Sequence, residues 1–136
     1  MKNIDIIMDK AKAKTVQPLV LAMIGDSVQT LYVRTYIADK FGVKVNKMNK
    51  MVSSVVKAGA QFKTFKKIED SLTEEETDIA KRARNTHIHS KAKNFSYTEY
   101  IYATALEALI GYLHLIGEKE RLEFVLKTSL EELVVE

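Results

Sequence analysis

Two carboxylates stand alone in the most apolar stretches of this chain. Asp26 is the only charged residue in positions 18–33, and Glu107 is the only one in positions 100–117. Acidic side chains are almost never fully buried without a partner, because removing their charge from water is costly or forces protonation. Two isolated acids in two apolar segments therefore suggest a common purpose, such as holding a cation between them.

Small residues next to both acids predict that the two segments pack closely. Ala103, Glu107 and Gly111 are spaced four residues apart, so they share one face of a helix. Gly25 adjoins Asp26 in the other segment and would also let a helix backbone approach. Carboxylates that face each other repel, and a shared proton or a divalent cation relieves the repulsion. Hard oxygen ligands of this kind favour Mg²⁺, which can activate water for phosphodiester hydrolysis.

The alternative is a structural pair of acids that hydrogen-bond to Thr, Tyr or Lys side chains, and the residues alone leave both interpretations open. His87 and His89, two apart in a loop, could bind a metal or contact RNA, whereas His114 is expected to pack. Three tyrosines near that loop could contact nucleic acid, although core packing is the simpler expectation: Tyr97, Tyr100 and Tyr102. The sequence has no Gly-rich phosphate loop, Ser/His/Asp order or Cys nucleophile.

The hydrophobic periodicity predicts a bundle of about five helices, and so an all-α fold. Pro18 suits a first helical turn, and Gly42 supplies a stop. Thr73 and Ser96 each precede a Glu by three residues, which is a capping-box pattern. The predicted helices cover 18–41, 46–67, a segment starting at Thr73, a segment from Ser96 to about Gly117, and 118–134, with an irregular basic loop at 86–95.

The composition is that of a single globular domain. With 136 residues, 46% of them hydrophobic and 29% charged, the chain is long enough for its own core, and we expect one domain over 1–136. It has no Cys, which excludes disulfides and thiolate metal sites and fits a reducing cytoplasm. Neither a signal peptide nor an apolar stretch of membrane-spanning length is evident, so we expect a cytoplasmic protein that does not enter a membrane.

Basic residues are concentrated in two parts of the chain. Positions 40–68 contain eight Lys and no acid, and positions 81–98 contain five Lys or Arg and no acid. Such runs suit a polyanion, most commonly nucleic acid, although lysines also serve simply to solvate helix faces. The candidate phosphate contacts are Lys50, Lys57, Arg82, Arg84, Lys91 and Lys93.

The segments LAMIGDSVQTLYVR, around Asp26, and YATALEALIGYL, around Glu107, resemble the catalytic domain of the ribonuclease III family. In that family a Gly-Asp-Ser/Ala on one helix meets a Glu-Ala-Leu-Ile/Leu-Gly on another. The compact branch called Mini-ribonuclease III is the most similar, and its characteristic runs have counterparts at 21–27, 81–86 and 104–113. The resemblance covers about 19–121.

The resemblance implies a ribonuclease III endonuclease-domain-like helical bundle that cleaves double-stranded RNA as a homodimer, with Mg²⁺ as its cofactor. Asp26 would match the catalytic Asp, and Glu107 the metal-binding Glu. The implied substrate is the precursor of large-subunit (23S) ribosomal RNA, free or in ribosomal assembly intermediates. We expect no double-stranded-RNA-binding domain, and so we expect the basic runs to supply affinity through phosphates and duplex shape.

The sequence departs from full-length ribonuclease III enzymes at three positions. Those enzymes have acids where this chain has Leu19 and Ala22, and an Asp where it has Thr104. The compact branch is similar in these losses, which favour one well-hydrated Mg²⁺ over two metals. The missing acids also keep two alternatives open: a non-catalytic RNA-binding or ribosome-assembly protein on the same fold, and a helical module that binds an acidic protein.

Overall fold

The structure, a computed structural model, describes residues 6–86 and 95–136, without the side chains of Phe95 and Ser96. Within these ranges the chain is helical and contains no strand, so the predicted all-α class is confirmed. The helices are α1 (Lys10–Lys14), α2 (Pro18–Phe41), α3 (Val45–Val56), α4 (Ala58–Ile68), α5 (Glu74–Asn85), α6 (Phe95–Leu115) and α7 (Lys119–Ser129). Short 3₁₀ turns follow α4 (Glu69–Ser71) and α7 (Leu130–Glu132).

Helix α6 is the centre of the bundle, and α2, α4 and α5 pack around it. It is apolar on nearly every side, with Leu106, Leu109 and Ile110 fully buried, as expected of a helix that has neighbours all round. A second, smaller cluster joins α2 to α3 through Val33, Met51 and other apolar residues. The central position of α6 brings Glu107 close to α2 and α4 at once.

Local signals fixed the ends of two helices as predicted. Helix α2 begins at Pro18, and Gly42 follows its last residue with φ 58°, a left-handed conformation that Gly adopts without a steric cost. At the start of α5 the Thr73 hydroxyl accepts the Glu76 backbone N–H at 3.1 Å, and the Glu76 carboxylate accepts the Thr73 N–H at 3.0 Å. Both bonds of the predicted capping box are therefore present.

The predicted helix at 46–67 is wrong, because the chain breaks it at Lys57. This residue is extended, with φ −66° and ψ 155°, and it separates α3 from α4. Helix α3 packs on α2, whereas α4 packs mainly on α6, so the chain must change direction between them. Lys is a good helix former, and only Gly59 in the first turn of α4 weakens the helical signal here.

Other boundaries differ by less. Helix α6 already includes Phe95, so Ser96 is not the residue before its first turn, and α7 ends at Ser129 rather than continuing to Val134. Helix α1, held by an Asp9 cap, was not predicted. Most of the segment 86–95 lies outside the described residues. No helix in the described ranges is both long and apolar enough to cross a bilayer.

Candidate active site

The site lies where α2 crosses α6 so closely that only glycine fits at the points of contact. A Cβ on Gly25 would overlap the backbone oxygen of Glu107, and one on Gly111 would overlap the backbone oxygen of Leu21. Any side chain at either glycine would therefore push the two helices apart. This contact confirms that small residues allow the two segments to approach, and it fixes the relative position of Asp26 and Glu107.

The crossing brings the carboxyl groups of Asp26 and Glu107 together, as the sequence predicted. They lie within hydrogen-bonding reach of each other. Burial raises the pKa of Glu107 to about 7, a hydrogen bond from Gln61 opposes this rise, and the charge of Asp26 adds to it. Asp26 itself is exposed at the surface. At neutral pH the pair is therefore poised to exchange the proton on Glu107 for a cation.

Two buried glutamines behind the acids were missed by the sequence analysis. Gln61 on α4 donates from Nε2 to Glu107 Oε2 at 3.4 Å and to Gln29 Oε1 at 2.8 Å. Gln29, on α2, is 0% exposed, and Gln61 is 3% exposed. The available signal was Gln29 itself, an amide one turn after Asp26 in a mainly apolar run.

The residues present fit a hydrated Mg²⁺. Asp26 and Glu107 offer hard carboxylate oxygens, and Mg²⁺ is commonly bound through one or two carboxylates with water completing its shell. Among the described residues there is no group of three or more acids or histidines that could hold a metal. The donor set therefore suits a Mg²⁺ that keeps several of its waters better than it suits an all-protein cage.

The three positions that depart from full-length enzymes occupy different environments. Ala22 and Thr104 are buried, and the Thr104 hydroxyl donates to the Tyr100 carbonyl at 3.0 Å. Leu19 is 46% exposed on the outer face of α2. The two buried positions thus hold groups that bring no charge to the α2–α6 contact, so Asp26 and Glu107 are the acids at this crossing.

The candidate phosphate contacts divide into two kinds. Lys50 and Lys57 are exposed beside a groove of about 350 Å³ that Lys47 also lines. Arg82 instead donates to the Lys14 carbonyl at 2.9 Å, and Arg84 donates to the Tyr102 hydroxyl at 3.1 Å. The two arginines therefore hold neighbouring elements together, and only their remaining donors could reach a phosphate. Lys91 and Lys93 lie outside the described residues.

The remaining candidates take structural positions where the structure describes them. Tyr102 packs against the rings of Phe62 and Phe65, with centroids 5.5 and 5.4 Å away, so its predicted core role is supported. Tyr100 is exposed on α6. His114 is partly buried and lines a small cavity with apolar neighbours, as expected for a packed residue. His87 and His89 lie outside the described residues.

Comparison with known proteins identifies the family of the chain. The family model of the ribonuclease III domain matches residues 19–118. A Mini-ribonuclease 3 of Thermoanaerobacter is 43% identical over 92% of this chain and 88% of its own length, and one of Clostridium tetani is 45% identical over 87% and 79%. A crystal structure of a Fusobacterium nucleatum protein superposes with a TM-score of 0.78 at 32% identity, over 91% of this chain and 98% of that one.

The chain therefore belongs to the ribonuclease III family of endoribonucleases. Its relatives of similar length place it with the compact Mini-ribonuclease 3 proteins. The family acts on double-stranded RNA with divalent metal and generally works as a dimer.

Proposed function

We propose that this chain is a Mg²⁺-dependent endoribonuclease that cleaves double-stranded RNA as a homodimer in the cytoplasm. The observation that carries the proposal is the contact between the Asp26 and Glu107 carboxyl groups at a glycine-limited helix crossing. A structural pair would include a cation or a set of donors for both groups, whereas among the described residues Glu107 has, besides Asp26, a hydrogen bond only from the neutral Gln61 amide. The arrangement is costly unless a proton or a cation binds.

The two acids have different proposed roles in cleavage. Glu107 is partly buried, and Gln61 bonds its carboxylate from the interior side, so this carboxylate would serve as an oriented oxygen ligand. Asp26 is exposed, so a phosphodiester can approach it, and its oxygens can accept hydrogen bonds from the attacking water. A bound Mg²⁺ would supply Lewis acidity and neutralise charge that develops on the phosphate.

The outer face of α2 supports a homodimer. Leu19, Met23 and Leu31 lie on this face at helical spacing and are 46%, 71% and 66% exposed, with Val20 beside them at 40%. Contiguous exposed apolar surface commonly marks an interface between protein chains. The same helix carries Asp26, so a second copy packed here would place two sites on one side of the assembly. Light scattering of a Met23→Lys variant tests this, with a shift to monomer expected.

Affinity for RNA is proposed to come from exposed lysines such as Lys57. Each phosphate contact that is lost should reduce the salt dependence of binding by about one counterion. Lys57→Ala should therefore weaken duplex binding a few-fold at low salt and lower the slope of log affinity against log salt by about one. Lys127→Ala is the matched control, because Lys127 is paired with Glu123 at 3.4 Å.

The proposed natural substrate is the precursor of 23S ribosomal RNA, free or in ribosomal assembly intermediates. The support is the similarity of the chain to Mini-ribonuclease 3 proteins, together with the basic surface. Primer extension on total RNA from cells that lack this chain tests the proposal. Accumulation of unprocessed 23S ends that the wild-type gene reverses is expected, and normal ends would reject this substrate.

The activity itself is tested with a structured duplex RNA and purified protein. Wild-type protein with Mg²⁺ should cut the duplex internally, whereas Asp26→Asn and an EDTA control should leave it intact. The folded state of the variant is checked by circular dichroism. Cleavage by Asp26→Asn at the wild-type rate would overturn the site assignment.

One observation favours a second candidate, a non-catalytic RNA-binding or ribosome-assembly protein. Ala22 and Thr104 stand at positions where full-length family members carry acids, so the site has fewer ligands than theirs. Salt-sensitive RNA binding without cleavage at any Mg²⁺ concentration would support this alternative.

A further inference from the structure

The two buried glutamines form a hydrogen-bonded chain that ends on the site. Gln29 on α2 accepts from Gln61 on α4 at 2.8 Å, and Gln61 also donates to Glu107 on α6 at 3.4 Å. Three helices thus meet through one polar path. Both hydrogen atoms of the Gln61 amide are directed to oxygen acceptors, so its orientation is determined by its two partners.

The hydrogen-bonded path from Gln29 through Gln61 to Glu107 is costly for the fold. Within the described residues, the Nε2 atom of Gln29 is buried and has no hydrogen-bond partner. A buried donor without a partner loses its hydration and gains nothing in return. An apolar side chain of the same size would avoid that cost, so packing alone does not explain an amide at position 29. The bond that Gln29 makes to Gln61 is what an apolar side chain could not provide.

We infer that Gln61 is a positioning residue for Glu107, and that Gln29 acts through Gln61. The Gln61 amide occupies Oε2 of Glu107 on the protein side and leaves Oε1 for a cation. Gln29 fixes which atom of the Gln61 amide faces Glu107, because an oxygen acceptor at Gln29 requires a donor at Gln61. Groups that orient a metal ligand in this way set metal affinity without touching the metal.

The inference depends on the proposed function, since it concerns the cation at Glu107. On the interior side of Glu107 lies the Gln61 N–H donor, and an N–H group cannot bind a metal. Gln61 therefore holds one oxygen of Glu107 from the interior side and orients the carboxylate for the cation. A carboxylate at position 61 would instead add a third negative charge to the pair.

The test is a double-mutant cycle on Mg²⁺ affinity measured without RNA. Gln61→Met and Gln29→Met keep side-chain length while removing the amide, and Mg²⁺ is titrated by isothermal calorimetry and by thermal shift. Gln61→Met should weaken Mg²⁺ binding by about 10-fold, and Gln29→Met by a smaller factor of about 3. In the Gln61→Met background, Gln29→Met should have no further effect, because its route to Glu107 is already cut.

Gln17→Met is the matched control, because Gln17 is exposed and makes no side-chain capping bond at the start of α2. It should leave Mg²⁺ affinity unchanged. Duplex cleavage supplies a second measurement: in Gln61→Met the KM for RNA should stay the same, and kcat should recover towards wild type at saturating Mg²⁺. A purely structural role would change stability and leave the Mg²⁺ affinity of the folded protein as it was.

The outcomes separate this inference from the proposed function. If wild-type protein binds Mg²⁺ and cleaves RNA while Gln61→Met keeps the wild-type Mg²⁺ affinity, the inference alone is overturned. If wild-type protein neither binds Mg²⁺ nor cleaves, the proposed function fails first. Should Gln61→Met not fold, the double variant removes both buried amides and avoids the orphaned Gln29, and unchanged Mg²⁺ affinity in it would equally reject the inference.

Discussion

Two glutamates in this molecule, the buried Glu76 and the partly buried Glu107, have opposite environments. Glu76 at the start of α5 is 4% exposed, and it receives two bonds from Arg121, at 2.7 and 3.0 Å, as well as the Thr73 backbone bond. Burial acts to raise the pKa of Glu76, but Arg121 and Thr73 outweigh it and hold that pKa below its usual value. Glu107 faces another acid and a neutral amide, and its pKa rises to about 7.

The difference separates an acid that serves the fold from an acid that awaits a ligand. Glu76 has a cation and donors within the chain, so its charge is already balanced. Glu107 has no cation among the described residues, and its neighbour Asp26 adds a like charge. Unbalanced buried charge is tolerated where binding or catalysis depends on it. The contrast gives each glutamate its own expected response to substitution.

The largest expected effect is on cleavage. Asp26→Asn and Glu107→Gln should each reduce the rate by at least about 100-fold, because each removes a carboxylate that would hold the cation, and the cation would neutralise the negative charge that develops on the phosphate. Glu76→Gln should leave the rate per folded molecule within about 3-fold, since Glu76 does not reach the site. Single-turnover cleavage of a duplex RNA measures all three. Equal losses in all three variants would break the distinction between the two glutamates.

The next largest effect is on stability. Here Glu76→Gln should be the more damaging substitution, and Glu107→Gln the less damaging one. Glu76→Gln leaves Arg121 without its carboxylate and should lower the free energy of unfolding by about 2 kcal/mol. We expect a smaller loss than the usual cost of breaking a buried ion pair, because the Arg121 side chain is 32% exposed and water screens its charge. Urea denaturation at pH 7 measures it. A change within experimental error would show that Glu76 is not the structural acid described above.

Opposite pH dependences follow from the two pKa shifts. The pKa of Glu107 is higher in the folded chain than in the unfolded one, so without Mg²⁺ its contribution to stability is greatest below pH 4.5 and is lost as pH rises towards 7. Glu107→Gln should therefore stabilise the protein by about 1–2 kcal/mol at pH 8, with no gain at pH 4. Glu76 has a lowered pKa, so its contribution is present above pH 4.5 and is lost on acidification.

Urea denaturation of both variants and the wild type in EDTA, from pH 4 to pH 8, measures these slopes. Wild-type stability should fall relative to Glu107→Gln as pH rises through this window. If the two proteins kept a constant difference at every pH, Glu107 would not be a carboxyl group with a raised pKa.

The smallest effect is the response to Mg²⁺ itself. At pH 8, 10 mM Mg²⁺ should raise the melting temperature of wild-type protein by about 5 °C if its Kd is about 1 mM. At pH 6 the rise should be smaller, because the proton on Glu107 competes with the ion. Glu76→Gln should show the same rise from its lower baseline, and Glu107→Gln should show none. Differential scanning fluorimetry is sufficient to measure it.

Signals that act within a few residues predicted much of this fold. Pro18 and Gly42 bound α2 correctly, because ring geometry and a left-handed Gly act at single positions. The Thr73–Glu76 capping box also formed as predicted. The break at Lys57 was not predictable in this way, since a Lys residue is compatible with a continuous helix and only the different packing partners of α3 and α4 require the turn.

The sequence by itself determined the all-α class, the main helices, and Asp26 and Glu107 as a pair that small residues let approach. Isolated acids in apolar segments and glycines at helical spacing are properties of the residues and need no coordinates. Only the tertiary structure decided that Arg82 and Arg84 bind within the protein, that Gln29 and Gln61 support Glu107, and that Glu76 is neutralised by Arg121. These contacts join residues up to 68 positions apart along the chain. The sequence does not specify them locally, because burial and pairing depend on which helices the fold brings together.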